Sequence, residues 1–476
     1  MPNKKQKLKI FQTPRGTHDI LPQDQKYWDR IRTVSQTLAS YYGFERIDTP
    51  HLESTDLFLH TVGPTSDIVE KQMYSFKTRG GDALTLRPEG TAPIARSYIE
   101  NGFLNLPQPV KLYYRGSFFR HESPQRGRYR EFHQWGLELL GEESAIADAE
   151  IFQVCSLFLS ELGLKDILFY VNSVGCRECR PKYRSALSGY YRSRVRGLCK
   201  DCKRRYKDNP LRLLDCKEEK CVTVKKSAPQ ILDHLCEACK NHFTVLLEFL
   251  DEIGVAYMLN PYLVRGLDYY SRTVFEIAST YVAASEPEVA REALPSINAE
   301  NRNAGDEKKE EDEEENVVTE VPIKEEKAGK EPLALGGGGR YDYLVELLGG
   351  RPTPGVGMAL GMERLAYAMK QQQVKIPASS RQKLFFVHLG ELAKKKSFKI
   401  IEMLRRANIA IAESLGKDSI KSQLKLADRA ASEYALILGQ KEAIDGTVII
   451  REMSSGTQET VLQEKLIEIL KQKLRR

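Results

Sequence analysis

The segment LVRGLDYYSRTVFE, residues 263 to 276, places an arginine, a glycine, a carboxylate and two adjacent tyrosines within six consecutive positions. The guanidinium of Arg265 is a planar fork that binds a carboxylate or a phosphate through paired hydrogen bonds. Gly266 lets the backbone approach a ligand closely, because it carries no Cβ. Asp268 supplies a counter-charge, and the tyrosines supply two hydroxyls on rigid rings. Together these residue types predict the wall of a ligand-binding pocket.

An ordinary β-strand is the alternative interpretation of this segment. Val274, Phe275 and Ile277 suit a strand with alternating faces, and short motifs also occur without function. The segment by itself does not separate the two interpretations.

Arginine and glycine recur together in three blocks, at residues 113 to 141, 263 to 270 and 355 to 364. Most arginines lie at the surface, in salt bridges that contribute little stability. The arginines of these blocks instead adjoin apolar strand residues, where an unpaired guanidinium would be costly to bury. A shared anion, such as a nucleoside triphosphate, would offset that cost. The arginines concerned are Arg120, Arg128, Arg265 and Arg364.

The sequence excludes several common catalytic designs. It contains no GxxxxGK[ST] phosphate loop and no GxSxG nucleophile elbow. The unpaired cysteine, Cys155, lies in an apolar and predicted helical stretch that is typical of core packing. Catalysis by positioning and charge neutralisation therefore fits better than covalent catalysis.

Eight further cysteines form four closely spaced pairs. Three of the pairs are CxxC, and eight thiolates suit two tetrahedral zinc sites. The alternative is a set of reduced thiols that pack as modest hydrophobes in a small helical domain. The candidate zinc ligands are Cys176, Cys179, Cys199, Cys202, Cys216, Cys221, Cys236 and Cys239.

Charge is distributed unevenly along the chain. The formal net charge of the whole protein is +7, but residues 176 to 240 hold 18 Lys and Arg against eight Asp and Glu. This local excess of ten positive charges favours a polyanionic partner over a merely solvated basic face. Residues 281 to 333 are the opposite case, with eight acids in the ten residues from 306 to 315. Such composition predicts a disordered loop insertion, and an acidic mimic of nucleic acid is the alternative.

Periodicity outlines the elements that must position these residues. A helix is predicted near 24 to 42, and strands at 44 to 47, 84 to 86, 110 to 114 and 132 to 140. From residue 381 onward, strands and helices alternate and close on an amphipathic helix near 460 to 474, which predicts a separate α/β domain.

Composition is that of a globular protein, with 41% hydrophobic residues. The sequence contains no run of about 18 apolar residues, so no membrane span is predicted. The basic start MPNKKQKLKIF lacks the apolar region of a secretory signal. A cytoplasmic location and reduced or metal-bound cysteines are therefore expected.

These motifs together resemble the histidyl-tRNA synthetases, which are class II aminoacyl-tRNA synthetases. TPRGTHDILP at 13 to 22 is similar to the family's amino-terminal signature, and LVRGLDYYSRTVFE to its histidine-specific signature. ERIDTPHLESTDLF at 45 to 58 resembles motif 1, FRHE at 119 to 122 resembles motif 2, and GVGMALGMER at 355 to 364 resembles motif 3. The resemblance covers nearly the whole chain apart from the acidic segment.

The resemblance implies an α+β fold, in which an antiparallel sheet flanked by helices forms the catalytic domain of a homodimer. That domain would comprise residues 1–175 and 241–380. The basic, cysteine-rich insertion at 176–240 would be helical and approach the tRNA acceptor arm, and residues 381–476 would bind the anticodon.

The resemblance also implies the reaction. Histidine would attack ATP, accompanied by Mg²⁺, to give histidyl-adenylate and pyrophosphate, and tRNA would then accept the histidyl group. Arg265 and Arg120 would be catalytic, with Arg120 on the α-phosphate. Phe132 would stack on adenine, and Arg364 would contact adenine and the γ-phosphate. The residues implied in ATP binding are Arg120, Glu122, Arg128, Phe132 and Arg364.

The histidine pocket is implied in the same way. Glu89, Thr91 and Gln134 would contact the α-ammonium end of the substrate. Glu138 and Tyr270 would contact the imidazole. The full set implied is Glu89, Gly90, Thr91, Arg120, Gln134, Glu138, Arg265, Tyr269 and Tyr270.

A histidine-sensing regulatory paralogue without aminoacylation activity is the alternative function. Such paralogues usually lack the anticodon domain and lose motif arginines. This chain keeps Arg120, Arg265 and Arg364 and has a folded-looking carboxy-terminal region, which favours the enzyme.

Overall fold

The computed structural model describes residues 11–64, 66–123, 127–281, 332–376, 383–414 and 419–474. The chain forms two compact units, Met1–Lys375 and Ile376–Arg476. The segment predicted to be acidic and disordered, 281–333, lies outside the described residues except for residues 281, 332 and 333. None of the helices among the described residues is long and apolar enough to cross a membrane.

The first unit contains eleven strands in its described residues. They are β1 Glu45–Arg46, β2 Leu52–Ser54, β3 Tyr74–Lys77, β4 Ala83–Leu86, β5 Val110–Phe119, β6 Glu131–Leu140, β7 Ile167–Ser173, β8 Tyr257–Leu259, β9 Ser271–Ser279, β10 Leu333–Arg340 and β11 Gly355–Gly361.

Helices of the same unit pack around these strands. They are α1 Gln25–Tyr41, α2 Thr55–Thr61, α3 Thr91–Glu100, α4 Ala145–Glu161, α5 Cys179–Arg192, α6 Lys200–Asp208, α7 Glu219–Lys225, α8 Glu237–Glu252, α9 Leu344–Leu347 and α10 Met362–Gln371. Short 3₁₀ or π turns lie at Ile68–Gln72, Phe103–Asn105, Val195–Gly197, Pro210–Leu213 and Ile231–His234.

An eight-stranded sheet forms the centre of this unit, in the order β1-β5-β6-β11-β10-β9-β7-β8. Its six inner strands pair antiparallel with one another, and the edge strands β1 and β8 pair in parallel with β5 and β7. Strands β2, β3 and β4, which lie between β1 and β5 in sequence, form a small antiparallel sheet in the order β2-β4-β3. The predicted antiparallel sheet flanked by helices is thus confirmed.

Strand β6 separates the core from the candidate site, because successive side chains of a strand point to opposite faces. Trp135 and Leu137 are fully buried, and the Trp135 ring lies 4.1 Å from the ring of Phe158 on α4. The alternate residues Phe132 and Gln134 face the other side of the sheet and line a cavity there.

The segment 263–276 combines a loop and a strand. Residues before Ser271 form a loop, and β9 begins only there. Val274, Phe275 and Ile277 are all fully buried, so the side chains of β9 alternate between two covered faces. Phe275 packs 4.2 Å from Phe152 of α4, while Val274 packs in the cluster on the opposite side that includes the tyrosines of the loop.

The insertion at 176–240 is helical. Helices α5, α6 and α7 and three 3₁₀ turns surround a small core that includes Tyr183, Leu187 and Tyr191, together with several of the cysteines. This part of the chain packs within the first unit, between β7 and β8 in sequence.

The second unit is an α/β domain. Its five-stranded sheet has the order β13-β12-β14-β15-β16, with the first three strands parallel and the last pairs antiparallel. The strands are β12 Leu384–His388, β13 Ile411–Glu413, β14 Tyr434–Leu438, β15 Thr447–Glu452 and β16 Gln458–Leu462. The helices are α11 Glu391–Arg406, α12 Ile420–Arg429, α13 Gln440–Asp445 and α14 Leu466–Leu474, with a 3₁₀ turn at Gln463–Lys465.

The last predicted helix starts later than expected. Residues Gln458–Leu462 form strand β16 because they pair with β15 after a turn in which Gly456 has a φ of +73°. Helix α14 therefore begins at Leu466 rather than near 460.

Candidate active site

One cavity of about 360 Å³ gathers most of the predicted site residues. It opens on the face of the eight-stranded sheet opposite α4, between α3, α10 and the 263–270 loop. Of the predicted ATP and histidine residues, all except Glu138 line it. The lining residues are Glu89, Gly90, Thr91, Arg120, Glu122, Arg128, Phe132, Gln134, Arg265, Tyr269, Tyr270 and Arg364.

Three guanidinium groups from distant segments share this cavity. Arg120 follows β5 and donates from Nε to the Pro88 carbonyl at 2.8 Å. Arg364 lies in the first turn of α10, donates to the Gly127 carbonyl at 3.3 Å, and also donates to the Ala334 carbonyl. Burial and the charges of Arg128 and Arg120 lower the pKa of Arg364, although Glu122 and Glu276 oppose this. Clustered cations that disfavour one another in this way suit a polyanionic ligand.

Arg265 reaches the cavity from the 263–270 loop. Burial alone would lower the pKa of its guanidinium, but Tyr270, Glu276 and Tyr269 outweigh this and leave the pKa raised. Gly337 on β10 makes room for it, because a Cβ there would lie 2.8 Å from Arg265 Nη1. The glycine run of β10 thus allows a charged side chain to lie across the sheet.

Glu89 lies two residues before α3 begins, and the first backbone amides of the helix donate to its carboxylate. The Thr91 amide donates to Glu89 Oε2 at 2.7 Å and the Ala92 amide to Oε1 at 2.9 Å. The Tyr269 hydroxyl also donates to Oε2, at 3.2 Å. Burial raises the pKa of Glu89, and these amides and Arg120 oppose the rise. The carboxyl group is therefore held rigidly beside the cavity.

Gln134 offers an acceptor at the same end of the cavity. Its side-chain oxygen is buried and has no hydrogen-bond partner among the residues that the structure describes. Burying an acceptor without a hydrogen-bond partner costs free energy, so a donor on a bound ligand would stabilise this part of the cavity.

Glu138 lies behind the cavity wall rather than in it. Its side chain is fully buried, and the Thr91 hydroxyl donates to Oε1 at 2.7 Å while the Tyr341 hydroxyl donates to Oε2 at 2.6 Å. Burial raises the pKa of Glu138 to about 8, despite these two hydrogen bonds. A carboxyl group with such a pKa exchanges its proton near neutral pH.

Phe132 occupies the opposite end of β6 from Glu138. Its ring centroid lies 5.4 Å from the guanidinium carbon of Arg120. Six residues separate Phe132 from Glu138 along the strand, which corresponds to about 20 Å at the rise of a β-strand. The two ends of the site are thus fixed by one strand.

Several lining residues were not predicted from the sequence. Tyr341 closely follows four consecutive glycines at 336 to 339, and that position is its only signal in the sequence. Tyr114 is buried under the cavity, and Cβ atoms at Gly90 and Gly136 would lie 2.5 and 2.3 Å from its ring. The unpredicted lining residues with polar side chains are Gln72, Tyr114, Tyr129, Glu276, Tyr341 and Glu363.

Glu363 joins the helix that carries Arg364 to strand β6. Its carboxylate accepts from the His133 amide at 2.9 Å and contacts His133 Nδ1 at 2.8 Å. These contacts hold the start of α10 against β6, so Arg364 and Phe132 line the same cavity.

A second cavity, of about 570 Å³, lies between the insertion and the 263–270 loop. Arg265 and Tyr270 line both cavities. The wall formed by the insertion is basic and includes Arg177, Arg180, Arg184 and Arg212. Asp268, which was expected to supply a counter-charge in the pocket, lines this second cavity and accepts from Asn209 at 3.3 Å.

The paired cysteines of the insertion are brought together as two groups of four. One group contains Cys176, Cys179, Cys236 and Cys239, and the other contains Cys199, Cys202, Cys216 and Cys221. None of the nine cysteines, all of which lie in described residues, forms a disulfide.

Two family profiles, several curated proteins and solved structures are similar to this chain. Residues 16–291 match the family profile of histidyl-tRNA synthetase, and residues 383–473 match that of the anticodon binding domain. A histidine–tRNA ligase of Dehalococcoides mccartyi is 42% identical over 97% of this chain and 100% of the relative. One from Pelotomaculum thermopropionicum is 39% identical over 97% of each chain. The crystal structure of apo S. aureus histidyl-tRNA synthetase matches with a TM-score of 0.73 and 32% identity, covering 97% of this chain and 99% of that one.

Proposed function

Because this chain belongs to the histidyl-tRNA synthetase family and attaches histidine to tRNA at the expense of ATP, we propose that the 360 Å³ cavity is where both steps of that reaction occur. The observation that carries the proposal is that Arg120, Arg265 and Arg364 line one cavity whose other end is lined by Glu89, Gln134 and Tyr341, with Glu138 hydrogen-bonded to Tyr341 behind the wall.

In the first step, a carboxylate oxygen of histidine attacks the α-phosphorus of ATP. The bond from that phosphorus to the β-phosphate oxygen breaks, and pyrophosphate leaves. Arg120 and Arg265 neutralise the negative charge that develops around the phosphorus, and their placement before reaction reduces the reorganisation required. They also bind the carboxylate of histidine, which brings the two reacting groups together.

ATP lies along the arginine end of the cavity in this proposal. Phe132 stacks on adenine, and Arg364 contacts adenine and the γ-phosphate. Glu122 and Arg128 belong to the loop after β5, where Glu122 Oε2 lies 3.8 Å from Arg128 Nη1. Both side chains line the cavity beside Arg120.

Histidine occupies the other end. Glu89 and Gln134 accept hydrogen bonds from its α-ammonium group, and Thr91 lies beside them. The Gln134 side-chain oxygen, which has no hydrogen-bond partner among the described residues, supports this assignment. Gly90 leaves room for Tyr114 under the pocket. Tyr270 and Glu138 contact the imidazole, while Tyr269 holds Glu89 in place. Each oxygen of Glu138 accepts one hydrogen bond, from Thr91 or Tyr341, and keeps a second lone pair for the ring N–H of the ligand.

In the second step, a hydroxyl of the terminal ribose of tRNA attacks the carbonyl carbon of the adenylate, and AMP leaves. We assign the second cavity to the acceptor end of tRNA. Its arginines suit phosphates, and Arg265 and Tyr270 line both cavities, so the two spaces adjoin. The excess of ten positive charges over 176–240 supports the same placement.

Mg²⁺ accompanies ATP in the proposal. Glu122 and Glu276 line the cavity beside the arginines, and carboxylate and phosphate oxygens are the ligands that Mg²⁺ prefers. Bound there, the ion would supply additional charge neutralisation. Zn²⁺ is proposed only for the insertion, where it would be structural.

The proposed domain assignment follows the chemistry. Residues 1–175 and 241–380 form the catalytic domain, residues 176–240 approach the acceptor arm, and the α/β unit from residue 381 binds the anticodon. We also propose a homodimer, supported by exposed apolar side chains at Leu52 and Phe76 of the small sheet, and a cytoplasmic location, supported by the absence of disulfides among the nine cysteines.

A histidine-sensing regulatory paralogue is not favoured, since named ligases align over nearly the whole chain. The deciding experiment is a charging assay with purified protein and unmodified tRNA, offering histidine or each other amino acid in turn. The proposal requires ATP-dependent charging by histidine alone. Histidine binding without any transfer to tRNA would instead support the regulatory function.

A further inference from the structure

The insertion brings its eight cysteines together as two separate clusters of sulfur atoms. In each cluster the four Sγ atoms all lie within 4.8 Å of one another. The first and last pairs in sequence form one cluster: Cys176 and Cys179 lie beside Cys236 and Cys239, which follow about 60 residues later. The two pairs between them in sequence form the other cluster.

Sulfur–sulfur distances in both clusters match those around a zinc ion. Cys176 Sγ lies 3.6 Å from Cys179 Sγ and 3.7 Å from Cys236 Sγ, and Cys199 Sγ lies 3.9 Å from Cys216 Sγ. Four sulfurs arranged tetrahedrally about 2.3 Å from Zn²⁺ are about 3.8 Å apart. A disulfide would require about 2.05 Å. The spacing therefore fits shared coordination and not oxidised pairs.

Backbone amides point at the sulfur atoms. The Cys236 amide donates to Cys179 Sγ at 3.1 Å, and the Cys199 amide to Cys221 Sγ at 3.3 Å. The Cys202 amide donates to Cys199 Sγ at 3.4 Å. Metal-bound ligands commonly accept such outer hydrogen bonds, which hold them in position.

Packing as neutral thiols does not account for this arrangement. Cysteines that act as small hydrophobes are free to contact carbon atoms anywhere in the core, whereas here sulfur meets sulfur in sets of four. The insertion has only about 65 residues, and its small core of tyrosines, leucines and Ile231 includes cysteines of the second cluster; small cores of this kind commonly need a metal or disulfides for stability.

We propose that the insertion binds two Zn²⁺ ions, one through Cys176, Cys179, Cys236 and Cys239 and the other through Cys199, Cys202, Cys216 and Cys221. We refer to them as the basal site and the distal site, respectively.

The basal site joins the two ends of the insertion where they leave the large sheet. Arg180 directly follows Cys179, and its guanidinium donates to the Tyr270 carbonyl and, at 3.5 Å, to the Asp268 carbonyl. The Arg272 amide donates to the Gly175 carbonyl at 3.0 Å. The basal zinc therefore fixes the backbone that carries Tyr270.

The distal site holds a second group of arginines. Arg205 on α6 and Arg212 in the following 3₁₀ turn both donate to Asp67, at 3.0 and 2.7 Å. Arg204 donates to Glu70 at 2.7 Å. These carboxylates belong to the segment that ends at Gln72, a residue that lines the cavity. The distal zinc thus braces the opposite side of the site.

The existence of the two metal sites does not depend on the enzymatic proposal, whereas their positioning role rests on it. The first measurement is zinc content by inductively coupled plasma mass spectrometry on full-length protein purified without chelator. Two zinc ions per chain are expected, with X-ray absorption giving four sulfur neighbours at about 2.3 Å. A content below one zinc per chain, with the cysteines found as free thiols or as disulfides by mass, would overturn the proposal.

Paired variants assign the ions to their sites. Cys176→Ser with Cys236→Ser should remove one ion and leave the distal one, and Cys199→Ser with Cys216→Ser should do the reverse. Cys155→Ser, at a buried cysteine outside both clusters, is the control and should retain both ions. If either pair leaves the zinc content unchanged, the assignment of that cluster is wrong, and this conclusion holds whether or not the protein charges tRNA.

The positioning role has its own readout. Loss of the basal ion should raise the KM for histidine in pyrophosphate exchange several-fold while the KM for ATP changes less, because Tyr270 is on the histidine side. A zinc-depleted variant with unaltered KM for histidine would leave the metal site standing and overturn its role in positioning.

Discussion

The Tyr341 hydroxyl donates a 2.6 Å hydrogen bond to Glu138 Oε2 behind the wall of the cavity, and the Thr91 hydroxyl donates to the other carboxyl oxygen at 2.7 Å. Both oxygens are thereby oriented before any ligand arrives. Because burial raises the pKa of Glu138 to about 8, this carboxyl group changes its charge close to the pH at which the imidazole of histidine, with a pKa of about 6.5, also changes its own.

Tyr341→Phe tests whether this hydrogen bond orients Glu138 for histidine. Loss of one hydrogen bond to a buried carboxyl group costs about 1 to 2 kcal/mol, so the KM for histidine should rise about 5- to 30-fold. The KM for ATP should be nearly unchanged, and both are measured by pyrophosphate exchange. Tyr98→Phe removes a comparable hydrogen bond, to Gln108, outside the cavity and is the control; equal effects of both substitutions would refute a specific role for Tyr341.

Glu138 also predicts a pH dependence of stability. Its pKa is raised in the folded protein from 4.5 to about 8, so the folded state retains a proton that the unfolded state releases. The stability contributed by this group is fully present below about pH 4.5 and is lost as the pH rises through about 8. Denaturant unfolding of wild type and Glu138→Gln should show a decline in this window that the variant lacks. Parallel pH profiles for the two proteins would show that Glu138 titrates normally.

Arg265→Ala should reduce histidine-dependent pyrophosphate exchange by a factor on the order of 10³, because a preorganised cation is removed from the reacting phosphorus. Arg265→Lys keeps the charge but not the planar fork, and should recover only part of the rate. Arg46→Ala, at a half-exposed arginine paired with Asp48, is the control. Near-normal exchange by a folded Arg265→Ala protein would remove this residue from the mechanism.

Asp148 and Arg340 form a fully buried ion pair between α4 and the end of β10. Although burial alone would raise the pKa of Asp148, Arg340 and His242 lower it to about 2. Asp148→Asn should therefore destabilise the protein by about 3 to 5 kcal/mol. The wild-type contribution is present above about pH 4 and is lost as the pH falls towards 2. Asp48→Asn, which breaks the exposed pair with Arg46, should cost less than about 1 kcal/mol in the same unfolding assay.

Arg184→Ala tests the assignment of the second cavity to tRNA. Arg184 is exposed and lines that cavity, so its loss should raise the KM for tRNA several-fold and weaken the salt dependence of binding by about one counterion. Pyrophosphate exchange, which needs no tRNA, should be unchanged. Arg192→Ala on the same helix but outside the cavity is the matched control. A defect in exchange without a defect in tRNA binding would contradict the assignment.

Motif residues were predictable because their side-chain chemistry is visible in the sequence. Arg120, Arg265 and Arg364 each stand beside glycines and apolar strand residues, and the need to pair three buried charges already indicated a shared anion. The antiparallel order of the sheet was not visible in periodicity, since β9 is buried on both faces. It came from the resemblance of the whole set of motifs to one family.

Other features depend on contacts that one sequence cannot specify. Tyr341 and Tyr114 look like ordinary core tyrosines, and only the pairing of β5, β6, β11 and β10 in that order brings them under the pocket. The partition of the eight cysteines is likewise a result of folding, because CxxC spacing does not state which pairs will meet.

Strand β6 carries the two ends of the pocket on one face and part of the hydrophobic core on the other. A slip of one residue in its pairing would turn Phe132, Gln134 and Glu138 towards α4 and expose Trp135 and Leu137. A chain that misaligns this strand would therefore lose its stability along with its activity, so quality control that senses only unfolded protein would also remove copies unable to recognise histidine.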